Sequence, residues 1–196
     1  MGEFMKFEML ADSIKEINVK AGNIAKCAVN QLMTLRNWAI GYYIVEYEQG
    51  GSDRASYGTR LLKNLEEQIS EKGMNSTLFK WCRQFYLLYP QIGAAVSHQF
   101  GLPYFEKSAT ASHQFITKPD VLVNNLSFSH IREIMVIDDA FERFFYETEC
   151  IKCNWSVREL RRQIKTNLYV RAGISKKPEL LIQSSEDNCN ITMITI

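Results

Sequence analysis

The residues best placed to do chemistry fall in the stretch WSVRELRRQIKTNLYVRAGISKK, 155–177, where seven Lys or Arg stand against a single acid, Glu159. The 196-residue chain has a formal net charge of only +1, so the signal is this local concentration and not the total. Arg158, Arg161, Arg162 and Lys165 fall on one stripe of a helix at about 100° per residue. Cationic groups along one helix face suit the phosphates of a nucleic-acid backbone, and double-stranded DNA is the expected partner. Two other readings of the same residues stay open: an ordinary solvated face, and a contact with an acidic partner protein.

Enzymatic signatures are missing from the sequence. A restriction-type, metal-dependent nuclease needs an acid with a lysine two positions on, so that metal and attacking water meet at one place. None of the 22 Asp and Glu residues has that neighbour. Cys150-x-x-Cys153 is a lone pair without a second pair, and His98, His113 and His130 lie well upstream of it. Asp138 and Asp139 are adjacent and point to different helix faces. Gly50, Gly51 and Gly58 belong to no phosphate-loop motif and read as turns. No catalytic residue, no metal and no cofactor are expected. Five scattered cysteines read as reduced thiols. No apolar run approaches the roughly 20 residues of a membrane helix, so no membrane partner is expected and the cytoplasm is the expected location.

The elements that must position the cationic stripe follow from periodicity. Ser156 and Glu159 stand in the capping-box relation, which starts a helix here, and Val157, Leu160, Ile164 and Leu168 form its docking stripe. Upstream, 7–19 reads as a short amphipathic segment and 24–48 as a long helix with Ile24, Ala28, Leu32 or Gln31, Leu35, Ala39, Tyr42 and Val45 inward. A helix is expected over 57–70, with Leu61, Leu62, Leu65 and Ile69 inward. Another, capped by Ser76 after a turn containing Gly73, runs to about Leu88. These two make a helix-turn-helix candidate, with Lys80 and Arg83 on the second helix as further DNA contacts.

The 91–125 region contains Ser-His-Gln-Phe twice, at 97–100 and 112–115, and reads as a long loop or a short β-hairpin wing. A helix over 131–148, capped by Ser129, has Ile134, Ile137, Phe141, Phe144 and Phe145 inward. Its acids, Glu142 and Glu147 among them, offer a counterweight to the basic helix. The fold class is mainly α: one helical domain over 5–177, a linker or tail over 178–196, and at 1–4 a segment that reads as a cloning scar.

Several stretches together resemble one family: VNQLMTLRNWAIGYYIVEYEQGG (29–51), RASYGTRLLKNL (54–65), RQFYLLYP (83–90), LSFSHIREIM (126–135) and RFFYETECIKCNWSVRELRRQIKTNLYVR (143–171). They look like the N-terminal domain of the bacterial YhcG-type proteins, and the resemblance covers about 23–175. It implies a mostly helical domain with helix-turn-helix character, normally followed by a separate nuclease domain, in proteins associated with restriction loci and mobile elements. Phe128 stands where the family usually has Trp. Residues 184–196 do not resemble the family's continuation, so a truncated product or a stand-alone regulator is expected. On this resemblance the chain is a DNA-binding, self-associating module with a nuclease or restriction-system partner. The alternative is an interaction domain that docks onto such a complex without touching DNA.

Overall fold

The computed structural model describes residues 7–50, 60–101 and 117–173, and among them every regular element is a helix. The first, α1 (Phe7–Gly50), is one continuous helix of 44 residues, about 66 Å long at 1.5 Å per residue. The break expected between 19 and 24 is absent, because the apolar positions keep one helical phase through both segments. Only its last third is buried: Leu35, Trp38, Ala39, Ile44 and Val45 sit in the core, with Thr34 and Asn37 beside them.

α2 (Leu61–Ile69) and α3 (Ser76–Leu88) follow. α2 buries only Leu61, and Ile69 faces solvent. It ends on Ser70 in the left-handed region at φ 48°, and Gly73 at φ 88° completes the turn. Asn75, not Ser76, caps α3, its side chain accepting the Leu78 N–H at 2.8 Å. Ser76 instead donates its backbone N–H to Glu66 at 2.9 Å, pinning α2 to the start of α3.

α3 packs along α1 and buries Phe79, Cys82, Phe85 and Tyr86. The crossing depends on Gly41, where an added Cβ would lie 1.9 Å from the Cys82 carbonyl oxygen. Trp38 Nε1 donates to the Tyr89 carbonyl at 2.8 Å and closes the end of α3.

Pro90 then opens a 3-10 turn (Pro90–Ile92) that runs into α4 (Gly93–Phe100). The Ser-His-Gln-Phe copy at 97–100 is therefore helical, and the end of the expected loop region forms another helix, α5 (Pro119–Asn125). Ile92, Val96, Leu122 and Val123 explain why: they are buried at helical spacing. The second copy, 112–115, lies outside the described residues.

The expected single helix over 131–148 is two: α6 (Phe128–Ile134) and α7 (Ala140–Lys152). Ser127 rather than Ser129 caps α6, and Asp139 caps α7 by accepting the Glu142 N–H at 2.7 Å. Arg143 fills the corner, donating to the Ile137 and Asp138 carbonyls at 2.7 and 2.8 Å. α8 (Val157–Lys165) and the single turn α9 (Leu168–Arg171) complete the array. Leu168 leaves the stripe of α8 because Asn167 takes φ 52° and redirects the chain. Phe85, Ile131, Ile134, Phe144, Tyr146 and Leu160 are fully buried at the centre, each contributing roughly 1.5–3 kcal/mol of apolar transfer. Phe128 packs on this core, its ring centroid 5.7 Å from that of Phe85.

Candidate nucleic-acid interface

α8 is held at both ends by groups from α6 and α7. The turn before it uses Asn154 at φ 49°, and Ser156 Oγ accepts the Glu159 N–H at 3.2 Å to start the helix. His130 Nδ1 accepts the Ser127 N–H at 3.2 Å, so the ring hydrogen belongs on Nε2, which donates to the Trp155 carbonyl at 3.0 Å. Burial holds the His130 pKa below the usual imidazole value, which keeps the ring neutral. At the other end, the buried Tyr146 hydroxyl donates to the Gln163 carbonyl at 3.4 Å and accepts the Tyr169 N–H at 3.3 Å. Leu160 is buried beneath the helix, with Ile164 partly buried beside it. The docking stripe expected from the sequence is thus in place over its α8 portion.

The opposite face presents the four expected cations. Arg158, Arg161, Arg162 and Lys165 are all exposed. Two of them are engaged with carboxylates. Arg161 grips Glu133 of α6 through two bonds, Nε at 3.0 Å and Nη2 at 2.6 Å. Arg162 reaches Glu159 one turn back at 2.6 Å. The Arg161 hydrogen bonds hold the Glu133 carboxyl below its usual range, and the Arg162 hydrogen bond does the same for Glu159. Arg158 and Lys165 have no ion pair among the described residues. A surface pair of this kind is held weakly enough for a phosphate to compete for the guanidinium.

The second expected group sits on α3. Lys80 is exposed, while Arg83 is tied to Glu48 of α1 at 2.7 Å. α3 packs on α1, α2 and α6. Between α3 and α8 lies α6, which touches both. It supplies a cation that sequence reasoning missed: Arg132, exposed, with its guanidinium carbon 5.0 Å from the Trp81 ring centroid. Arg132 and Glu133 are consecutive, so one turn of α6 meets the α3 aromatic and the α8 arginine together. The available signal was a basic residue within the IREI segment, overshadowed there by the neighbouring acids.

Those acids do other work than expected. Glu147 is buried, and its two oxygens accept from the Tyr89 hydroxyl and the Thr117 hydroxyl, each at 2.6 Å. Burial pushes its pKa up. It faces the core and not the arginines of α8, and the acid that meets α8 is Glu133. Cys150 is buried, its thiol pushed up to about 12 by burial, and Cys153 beside it is exposed and free. Among the described residues, no group of three or more His, Cys, Asp or Glu could hold a metal ion. No helix among them is long and apolar enough to cross a membrane.

The DUF1016 N-terminal domain family matches residues 13–171 of the chain. A protein of Escherichia coli strain K12 named "Putative nuclease YhcG" is 30% identical over 185 residues, covering 90% of this chain and 49% of that protein. The chain thus spans about half the length of this curated relative. No solved structure matches it.

Proposed function

Because the chain belongs to the DUF1016 N-terminal domain family, we propose that it is the DNA-binding and assembly module of a YhcG-type nuclease, acting in the cytoplasm. The nuclease chemistry belongs to a separate domain or partner. The observation that carries this reading is the cationic face of α8: Arg158, Arg161, Arg162 and Lys165, all exposed on one helix of a nearly neutral chain. The helix is clamped at Trp155 and at Gln163, so its charges are presented in fixed register. Such a face binds backbone phosphates without reading sequence, and positions whatever follows it on the duplex. Lys80, Arg83 and Arg132 extend the cationic surface across α6 to α3.

A second reading is favoured by one observation. Arg161 and Arg83 already have carboxylate partners, Glu133 and Glu48, as a purely structural or protein-docking face would. In that case the chain docks onto a restriction or mobile-element complex and touches no DNA. Salt-dependent binding of a labelled random duplex separates the two, since several phosphate contacts make affinity fall steeply with salt. Binding that is absent at low salt refutes the DNA reading.

A further inference from the structure

Among the described residues, no side chain in the first half of α1 is buried. Every residue from 14 to 30 is exposed, and the described buried residues of α1 all lie from Thr34 onward. This stretch is not a polar solvated helix. Ile14, Ile17 and Ile24 are exposed by 59%, 67% and 69%. It is also a poor helix on intrinsic grounds, since Asn18, Gly22, Asn23 and Asn30 disfavour one. Its intrahelical support includes the Lys15–Asp12 and Lys20–Glu16 pairs, both exposed.

Seven apolar residues and Gln31 keep a heptad register, while Met9, Val19, Val29, Leu32 and Met33 lie off it. Phe7, Ile14, Ala21 and Ala28 occupy one seam position, and Leu10, Ile17, Ile24 and Gln31 the other, with alternating spacings of three and four. A seam of period 3.5 fits another helix of the same period. The positions flanking it are Ala11, Asn18, Ala25 and Leu32 on one side and Ser13, Lys20 and Cys27 on the other, of which Lys20 alone is charged.

From this seam we infer that α1 pairs with α1 of a second copy of the chain, antiparallel, over residues 7–31. Two observations fix the direction. First, the seam runs on into Leu35, Trp38 and Val45, which the chain's own core covers. A parallel partner following the seam would run into that core, whereas an antiparallel partner ends before it. Second, charge is polarised along the helix: residues 7–17 hold three acids and one lysine, and residues 18–33 hold two lysines and no acid. Antiparallel pairing sets the acidic half of each helix against the basic half of the other.

Centred between Asn18 and Lys20, the pairing matches Leu10 with Ala28, Ile17 with Ala21, Ile14 with Ile24, and Phe7 with Gln31 at the ends. Two of these layers put a large side chain on a small one, as interdigitated packing requires. Thr34, where burial begins, would then lie about 45 Å from its counterpart in the partner, at 1.5 Å per residue, so the dimer carries its two folded bodies at opposite ends.

This rests on the assembly half of the proposed function, and it is read by mass and cross-linking, whereas failure of DNA contact is read by duplex binding. The chain of 22.7 kDa should sediment at twice that mass. The double variant Ile14→Asp/Ile24→Asp should sediment as a monomer with an unchanged near-ultraviolet signal from Trp38 and Trp81. Direction is read by Ser13→Cys in a Cys153→Ser/Cys189→Ser background. Residues 13 and 27 are about 21 Å apart along one helix, too far for a short bismaleimide, but adjacent across an antiparallel pair. A covalent dimer is expected with Ser13→Cys and not with Asn23→Cys. A monomeric parent, a dimer indifferent to Ile14→Asp/Ile24→Asp, or a Ser13→Cys dimer that gives no cross-link from position 13 to Cys27 would each overturn the inference.

Discussion

Glu133 occupies the exposed Arg161 guanidinium, and releasing it should strengthen duplex binding. The carboxylate takes both Nε and Nη2 of Arg161, at 3.0 and 2.6 Å, so a phosphate can use that fork only after the pair opens. Glu133→Gln removes the negative charge and half the grip. One additional phosphate contact adds about 0.9 to the slope of log affinity against log salt. Over a fourfold rise in salt, from about 50 to 200 mM, that slope corresponds to a factor of about three and a half. The variant should therefore bind more tightly than the parent at low salt, and its advantage should shrink by about that factor across the range. Fluorescence anisotropy of a labelled duplex at several salt concentrations reads both. Folding should be preserved, because His130 and Tyr146 still clamp α8. A variant with unchanged affinity and slope would refute Arg161 as a latent phosphate ligand, and weaker binding would show that the pair itself shapes the surface.

Three further outcomes follow from the clamps and the crossing. Tyr146→Phe removes the hydroxyl shared by Gln163 and Tyr169 and should lower unfolding stability in urea by about 1 kcal/mol. Gly41→Ala should cost about 1–3 kcal/mol or more, because the new methyl meets the Cys82 carbonyl and the α1–α3 crossing must open; a neutral melting temperature would contradict that packing. His130 titrates below its ordinary value of about 6.5 because the folded state buries it neutral. Its contribution is thus present above that pH and lost as pH falls through the folded value. The melting temperature of the parent should drop on acidification below about pH 6.5, more steeply than that of His130→Ala.

The helical class, the start of α8 at Ser156, its buried Leu160 and its cationic face were legible because each is local: a cap, a period and a charge run within two turns. The extent of α1 was not, since Gly22 and the asparagines weaken the helical pattern although the apolar phase continues through them. The split of 131–148 was hidden because Asp138 and Asp139 read as surface acids when one of them is a cap. The β-hairpin expectation failed at 97–100, where a repeated tetrapeptide carried less weight than Ile92 and Val96 buried at helical spacing. The pairing of Arg161 with Glu133 spans 28 residues, and the burial of Glu147 depends on Tyr89 and Thr117, 58 and 30 residues away. Such long-range contacts have no signature in local periodicity. Arg132 became visible only when α6 was seen to bridge α3 and α8.

The most direct measurement compares the chain with an Arg158→Ala/Arg161→Ala/Arg162→Ala variant in anisotropy titrations of a random duplex at two salt concentrations, with helicity checked by circular dichroism. If α8 is the DNA contact, the parent binds in a salt-sensitive manner and the folded variant loses that binding. Equal binding by the two would move the contact elsewhere on the chain, and no binding by the parent at low salt would contradict the DNA-binding role outright.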